Sequence, residues 1–167
     1  FALYCDNYLE GFHIPFVHAG LAETLDYGAY ATEIFEWGSV QLGIAKEGEP
    51  AFDLPEGHPD AGRRVAAYYI WLFPATMLNV YPWGLSVNAV RPLGPKRTRV
   101  SFLSFVTHPE KRARGAGADL HQVELEDEAI VANVQRGVSS RLYERGRFSP
   151  SREIGVHHFH RLLAAML

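Results

Sequence analysis

The sequence predicts an α+β fold in which an antiparallel sheet wraps around a long helix near the C-terminus. Runs of apolar, aromatic and β-branched residues joined by short links fill the middle of the chain, which is typical of an antiparallel meander. A pattern with the period of a helix follows them, from about residue 119 to residue 145. At 167 residues, the chain is expected to form one domain over residues 1–167.

The strands are predicted from alternating or continuous apolar runs between turn residues. The first two form a hairpin, and a loop rich in glycine and proline separates them from the others. The predicted strands are 30–36, 40–45, 65–73, 77–81, 85–91 and 97–107. Because several of these runs are apolar throughout, both faces of the sheet are expected to be covered.

The long helix is predicted to begin after Asp119 as its N-cap. Its apolar stripe consists of Leu120, Val123, Ile130, Val131, Val134 and Val138. Asp127 lies on this stripe, whereas the three neighbouring glutamates lie mostly off it; these are Glu124, Glu126 and Glu128. A buried, unpaired carboxylate is costly, and a metal or another cation would relieve that cost. The alternative is that Asp127 lies at the edge of the stripe, in contact with solvent.

The N-terminal run CDNYLEGFHIPFVH carries two histidines five residues apart. Asp6 or Asn7 is predicted to cap a short helix here, and Pro15 to break or kink it. On such a helix, Glu10 and His13 share a face, because they are three residues apart. His18 follows the proline, so the chain can bring it back toward His13. Imidazole is the commonest protein metal ligand, and the segment is therefore a candidate for half of a metal site.

His13, His18 and Asp127 together would form a set of two histidines and one carboxylate. With open positions, this set is typical of non-haem Fe(II) oxygenases. The HxxxxH spacing alone is a weak motif. Zinc, bound with a water in tetrahedral geometry, is an alternative and would indicate a hydrolase.

The run CDNYLEGFHIPFVH resembles the iron-binding segment of the Rieske-type ring-hydroxylating oxygenases, in their catalytic alpha subunits. It looks most like the branch that contains choline, glycine-betaine and carnitine monooxygenases. The runs VELEDEAIVANVQRGVSSRLYERGRFSP and GVHHFHRLL near the C-terminus are similar to that branch as well. The resemblance implies the helix-grip, START-like fold, with a cavity between sheet and helix and the iron at its inner end.

The resemblance also implies roles for individual residues. His13, His18 and Asp127 would be the iron ligands, and Glu10 the acidic bridge that carries electrons toward the iron. Asn7 matches a family asparagine near the iron. For Glu10 an alternative remains, because Asn7 and Glu10 have the spacing of a capping box.

The implied electron source lies outside this chain. A Rieske [2Fe–2S] centre needs two cysteines and two histidines, and Cys5 is the one cysteine present. The N-terminal Rieske domain is therefore expected to be absent from this chain. By resemblance, the electrons come from NAD(P)H through a separate reductase or ferredoxin, and then from a Rieske cluster in a neighbouring subunit of a homotrimer. The substrates would be dioxygen and a small molecule, either an aromatic compound or a quaternary ammonium compound.

Several aromatic residues are candidates for the cavity wall; these are Tyr68, Tyr69, Trp71, Tyr81 and Trp83. They would form a cage for a quaternary ammonium group, with ordinary strand packing as the alternative. A terminal helix is predicted over residues 156–167, and its three histidines are expected to pack rather than bind metal; these are His157, His158 and His160.

Composition excludes some partners. A net charge of −3 gives no electrostatic footprint for nucleic acid. No run of 18 apolar residues is present, so no membrane partner is expected. One cysteine cannot form a disulfide within the chain, which favours the cytoplasm. A non-catalytic, START-like domain that binds a hydrophobic ligand remains the alternative function.

Overall fold

The structure, a computed structural model, describes residues 1–167 and is built on one antiparallel sheet. Its strands are β1 (Ala31–Phe35), β2 (Gly38–Ile44), β3 (Val65–Leu72), β4 (Thr76–Tyr81), β5 (Gly84–Gly94) and β6 (Arg97–Val106). They are paired in chain order, so the predicted hairpin and meander form one six-stranded sheet. All six predicted strands are confirmed. β5 continues to Gly94, past the prediction, with a register irregularity at Pro92 where no backbone N–H can join the ladder.

Five α-helices flank the sheet. They are α1 (Ala2–Tyr8), α2 (Ile14–Val17), α3 (Ala19–Thr24), α4 (Leu120–Val138) and α5 (Ile154–Met166), with short 3-10 turns at Tyr27–Ala29 and Pro109–Lys111. The predicted terminal helix is thus confirmed as α5. None of the helices combines the length and the apolar character that a membrane crossing needs.

The main core lies where α1 and α5 meet the inner face of the sheet. Trp71 of β3 and Phe159 of α5 are both fully buried, and their ring centroids are 5.3 Å apart. Leu9, directly after α1, is fully buried in the same cluster. Gly155 of α5 lies so close to it that a Cβ there would be 2.7 Å from the Leu9 carbonyl oxygen. This close packing fixes the chain immediately before Glu10.

The outer face of the sheet departs from the prediction that both faces are covered. One row of apolar side chains crosses four strands in register; it consists of Ile70, Leu78, Val87 and Leu103. At its β6 end Leu103 is 48% exposed, and Phe105 in the next row is 57% exposed. The prediction was wrong here because continuous apolar runs also occur in strands with one open face.

The long helix α4 is shorter than predicted. It ends at Val138 rather than near residue 145, and Ser139 directs its hydroxyl back to the carbonyl of Gln135. Such side-chain bonding competes with helix continuation. The backbone of α4 lies nearest to α1 and α2. A cavity lies between α4 and the sheet, and the functional residues lie at one end of it.

Candidate metal centre

The turn between α1 and α2 is organised by the Glu10 side chain. Its Oε2 accepts hydrogen bonds from the backbone N–H groups of Phe12 (2.6 Å) and His13 (3.2 Å). The predicted caps were wrong: Asp6 and Asn7 lie inside the last turn of α1, where they cap nothing. The capping box with Asn7 is therefore absent as well. Glu10 and His13 also do not share a helix face, since Glu10 lies in the turn before α2.

The two histidines flank a helix of a single turn. His13 is the N-cap of α2 and His18 is its C-cap, so one turn of helix brings the two imidazoles together. Their Nε2 atoms are 3.2 Å apart. Pro15 lies in the first turn of α2, where its fixed φ and missing N–H are tolerated. It helps to begin this helix rather than break it, contrary to the prediction.

Asp127 of α4 completes a group of three ligand atoms. Its Oδ1 lies 3.0 Å from His18 Nε2 and 3.7 Å from His13 Nε2. His18 is 2% exposed and the Asp127 side chain 19% exposed, so the group is largely shielded from water. The predicted position of Asp127 on the inward stripe is confirmed, because its side chain turns toward the histidines.

The spacing of the three atoms fits a bound metal ion. Ligands about 2.1 Å from an ion lie roughly 3.0 Å apart in cis octahedral positions and roughly 3.4 Å apart in a tetrahedron. The observed separations of 3.0, 3.2 and 3.7 Å cover both values. Distance alone therefore does not separate iron from zinc.

A carboxylate holds the second ring nitrogen of each histidine. His13 Nδ1 lies 2.5 Å from Glu10 Oε1, and His18 Nδ1 lies 2.7 Å from Glu126 Oε2. A carboxylate at Nδ1 fixes the proton there and leaves the Nε2 lone pair free, as in known carboxylate–histidine–metal arrangements. Asn7 Nδ2 donates to Asp127 Oδ1 at 2.6 Å and so positions the third ligand.

When each imidazole carries its proton at Nδ1, the three converging atoms are all hydrogen-bond acceptors; these are His13 Nε2, His18 Nε2 and Asp127 Oδ1. Such a group is unfavourable unless a proton or a cation lies between the atoms. Burial alone lowers the pKa of His18, but the hydrogen bonds to Asp127 and Glu126 outweigh it and raise this pKa overall. Hydrogen bonds from Gln122 and His18 in turn lower the pKa of Glu126. These three ligand atoms therefore suit a metal ion. At lower pH, a proton on His18 takes the place of the ion.

A cavity extends from the three ligands between α4 and the sheet. Its volume is about 80 Å³, several times the roughly 10–15 Å³ that one water needs, so it has room for a small ligand. Four tyrosines line it; these are Tyr8, Tyr30, Tyr69 and Tyr81. Two asparagines also line the cavity: the Tyr8 hydroxyl donates a hydrogen bond to Asn79 (3.0 Å), and the Asn79 side chain donates one to Asn88 (3.2 Å). The cavity thus combines aromatic walls with a polar floor.

The prediction of the cavity wall was correct in part. Tyr69 and Tyr81 line the cavity, but three other candidates do not; these are Tyr68, Trp71 and Trp83. Tyr68 bonds to Asp60 in the long loop, Trp71 packs in the main core, and Trp83 stacks behind Tyr81. The histidines of α5 lie away from the cavity: His158 bonds to a backbone carbonyl and His160 to Asp6. His157 and His160 pack on the ring of Phe148, in agreement with the predicted packing role, although both remain exposed.

Sequence reasoning missed three residues of the site. Glu126 was placed off the inward stripe, yet it contacts His18; its position next to Asp127 on the helix was the available signal. Tyr8 and Tyr30 were not predicted to line the cavity. Tyr8 lies within the run CDNYLEGFHIPFVH that carries the two histidines, so its sequence position was a signal. Tyr30 lies outside any motif and carried none.

Two histidines and one carboxylate, each fixed by an outer partner and placed beside a cavity, are a set of side chains typical of the class of metal-dependent enzymes. Comparison with known proteins identifies the family. Residues 3–167 match the family described as ring hydroxylating alpha subunit (catalytic domain). The chain belongs to this family.

Curated relatives include choline monooxygenase of Arabidopsis thaliana, which is 37% identical over 96% of this chain and 38% of its own length. The carnitine monooxygenase oxygenase subunit of Escherichia coli is 31% identical over 95% of this chain and 44% of its own length. The chain therefore spans less than half the length of these relatives. The plant proteins are named chloroplastic, and the cytoplasmic location of this chain stays a prediction.

Solved structures show the same fold. The quaternary ammonium Rieske monooxygenase CntA in complex with an inhibitor has a TM-score of 0.74 and 24% identity, covering 98% of this chain and 45% of that protein. A quaternary ammonium Rieske monooxygenase described for carnitine oxidation by gut microbiota has a TM-score of 0.71 and 23% identity, covering 98% of this chain and 46% of that protein. The similarity confirms the predicted α+β fold.

Proposed function

We propose that this chain is the catalytic domain of a Rieske non-haem iron monooxygenase that hydroxylates a quaternary ammonium compound with dioxygen. Family membership and the choline and carnitine monooxygenases among its relatives support this proposal. The observation that carries it is the convergence of His13 Nε2, His18 Nε2 and Asp127 Oδ1 at one end of a tyrosine-lined cavity. We also assign the helix-grip, START-like fold, which the cavity between α4 and the sheet supports.

In this proposal, His13, His18 and Asp127 hold one Fe(II) ion. When bound, the ion supplies open positions at which dioxygen is activated. Glu10 and Glu126 keep the Nδ1 protons in place, so that both Nε2 lone pairs remain available as ligands. Asn7 orients the Asp127 carboxylate by its hydrogen bond to Oδ1. The tyrosine walls exclude water and hold the substrate against the ligand group.

The electrons must come from outside these residues. Hydroxylation of one C–H bond uses one dioxygen, places one oxygen atom in the product and releases the other as water. Two electrons and two protons complete the balance. We propose that NAD(P)H provides the electrons through a reductase or ferredoxin and a [2Fe–2S] Rieske cluster, whose two cysteine ligands this chain does not contain. We further propose a homotrimer, in which Glu10 connects the neighbouring subunit's cluster with His13.

Glu10 is well placed for that role. Its Oε1 contacts His13 Nδ1, and its side chain is largely buried, with 10% exposed. The same carboxylate also accepts two backbone N–H groups. The capping and bridging functions are therefore compatible, because Oε2 serves the turn while Oε1 serves the histidine.

The sequence is also compatible with two other functions. A non-catalytic carrier of a hydrophobic ligand has no use for three converging ligand atoms with carboxylates on both histidines. A zinc hydrolase is compatible with the distances, but the family of the chain favours iron. No observation in the structure favours either alternative.

The test is the metal content and the turnover of the protein. We expect the assembled oxygenase, reconstituted without oxygen, to bind one Fe(II) per chain and to turn over with Fe(II) but not with Zn²⁺, whose affinity for such ligands is no lower. With a Rieske partner, reductase and NADH, we expect dioxygen uptake that depends on a quaternary ammonium compound. Stoichiometric zinc with hydrolysis, or the absence of any metal binding at wild-type ligands, would overturn the proposal.

A further inference from the structure

Glu124 is an ionisable cavity residue that the proposed metal site does not use. It lies on α4 one turn before Asp127, is half-buried and lines the cavity. Unlike Glu10 and Glu126, it makes no hydrogen bond and no ion pair in the structure. The nearest potentially cationic side chain that acts on it is His121, which is exposed on the same helix.

A second polar group in the cavity is incompletely hydrogen-bonded. Tyr69 is 8% exposed and lines the same cavity; its buried hydroxyl makes no hydrogen bond of normal geometry and interacts only with the side chain of Tyr81. Buried polar groups in proteins are normally hydrogen-bonded, and each exception needs an explanation. A ligand that reaches into the cavity would satisfy this hydroxyl, so two independent features point to a bound molecule.

The tyrosine rings supply the remaining chemistry for a cation. Tyr69 stacks with Tyr30 at 6.4 Å between ring centroids and meets Tyr81 edge-on at 6.1 Å. Aromatic rings attract quaternary ammonium groups through their π faces. Such a group has no N–H to donate, so its counter-ion needs no hydrogen-bond geometry. A carboxylate without a hydrogen-bond partner, lining the same cavity as these rings, therefore suits a quaternary ammonium group.

We propose that Glu124 is the counter-ion for the quaternary ammonium group of the substrate and determines selectivity for cationic over neutral molecules. This inference rests on the function proposed above. On a helix, side chains three residues apart have Cβ atoms roughly 5–6 Å apart. When the ammonium nitrogen of the substrate lies at Glu124, a substrate carbon two or three bonds from that nitrogen therefore lies beside Asp127 and the two histidines.

The electrostatics of Glu124 agree with this role. Burial raises its pKa, His121 opposes that shift, and the nearby Glu128 and Asp127 carboxylates add to it. A negative charge that is partly desolvated and surrounded by like charges is relieved by a cation. The substrate would supply that cation, since no lysine or arginine lines the cavity.

The test compares binding of choline with binding of 3,3-dimethyl-1-butanol, a neutral molecule of the same shape. Calorimetry on the purified, metal-loaded protein gives both Kd values. We expect Glu124→Gln to weaken choline binding by about 10- to 100-fold, as expected for a lost charge pair in a partly buried site, and to leave the neutral analogue unchanged. Glu128→Gln is the matched control, because Glu128 is exposed on the same helix, and it should change neither Kd.

Two outcomes overturn the inference: an unchanged choline Kd in Glu124→Gln, or an equal loss for both molecules. Equal binding of the two molecules by the wild-type protein overturns it as well. Metal content separates this failure from failure of the proposed function. If Glu124→Gln and wild type bind iron equally but do not differ in choline binding, only the role of Glu124 is rejected. If wild type binds no metal, the proposed function itself is rejected.

Discussion

The two histidines are held by the same chemistry but by different parts of the fold. His13 receives its carboxylate from Glu10, three residues earlier in the same turn. His18 receives its carboxylate from Glu126 of α4, which is 108 residues away in the sequence. The side chain of Glu10 is 10% exposed, and that of Glu126 is 28% exposed. The first half of the site is therefore local, with the more buried carboxylate, whereas the second depends on how α4 docks.

This difference separates two ways of damaging the site. The His13 half is fixed by hydrogen bonds within the turn, so it depends on the conformation of residues 10–13. The His18 half takes both Glu126 and Asp127 from α4, so a small displacement of this helix removes two contacts together. The four predictions below test this contrast, from the largest expected effect to the smallest.

Loss of the shared ligand should have the largest effect. Asp127→Ala removes the third ligand, and iron content after dialysis should fall to background, because two histidines remain on one side of the ion. The measurement is elemental analysis of protein reconstituted with Fe(II). Glu128→Ala, on the exposed side of the same helix, is the control and should keep full iron. Full iron retention by Asp127→Ala would show that this carboxylate is not a ligand.

Loss of either outer carboxylate should weaken iron binding by roughly 10–100-fold, because the partner of a ligating histidine orients it and raises its basicity. Glu10→Gln should cost more than Glu126→Gln, since water can replace the more exposed Glu126. Competition with a chelator of known affinity measures both values. Equal losses, or the reverse order, would mean that the exposure of each carboxylate does not determine how much it contributes to iron binding.

The pH dependence of iron binding should shift in one variant. The raised pKa of His18 means that its proton competes with the metal to a pH above the ordinary value of about 6.5. Glu126→Gln removes one of the hydrogen bonds that raise this pKa. The proton should then leave at lower pH.

We therefore expect the pH of half-maximal iron binding to be lower in Glu126→Gln than in wild type, although its affinity at high pH is weaker. The measurement is Fe(II) binding without oxygen over a series of buffers, at metal concentrations far below the Kd of either protein so that the midpoint follows the pKa of His18, each curve scaled to its own plateau. Glu128→Gln should keep the wild-type midpoint. A midpoint that rises in Glu126→Gln would contradict the role of Glu126 as the proton acceptor from His18.

The smallest effect concerns two glycines on either side of the histidine pair. A Cβ at Gly11 would lie 2.7 Å from the ring of Tyr30, so Gly11→Ala should lower the free energy of unfolding by about 1–3 kcal/mol through overpacking. Gly20 in α3 has no atom within 4 Å of its Cβ position, and Gly20→Ala should be neutral or stabilise by up to about 1 kcal/mol. Denaturant unfolding measures both. Equal stability of the two variants would show that the turn has room to relax.

Much of the fold follows from local patterns. The six strands and both long helices are recognisable because residues that alternate or recur every three to four positions bury one face whatever their partner is. The exceptions are also physical. Residues 139–145 continue the composition of a helix, but the serines after Gly137 bond to nearby backbone groups and end it. The open outer face of β6 is another exception, since the sequence of an apolar strand does not show whether another element packs against it.

By itself, the sequence determined the six strands, the inward position of Asp127 and the pairing of His13 with His18, because each depends on spacing along a few residues. Only the tertiary structure decided that Glu126 contacts His18, that Tyr8 and Tyr30 line the cavity, and that Glu124 faces it without a partner. These contacts join segments far apart in the chain. They are set by the docking of α4 against α1 and α2, and the distance between two such surfaces is not encoded in any local pattern.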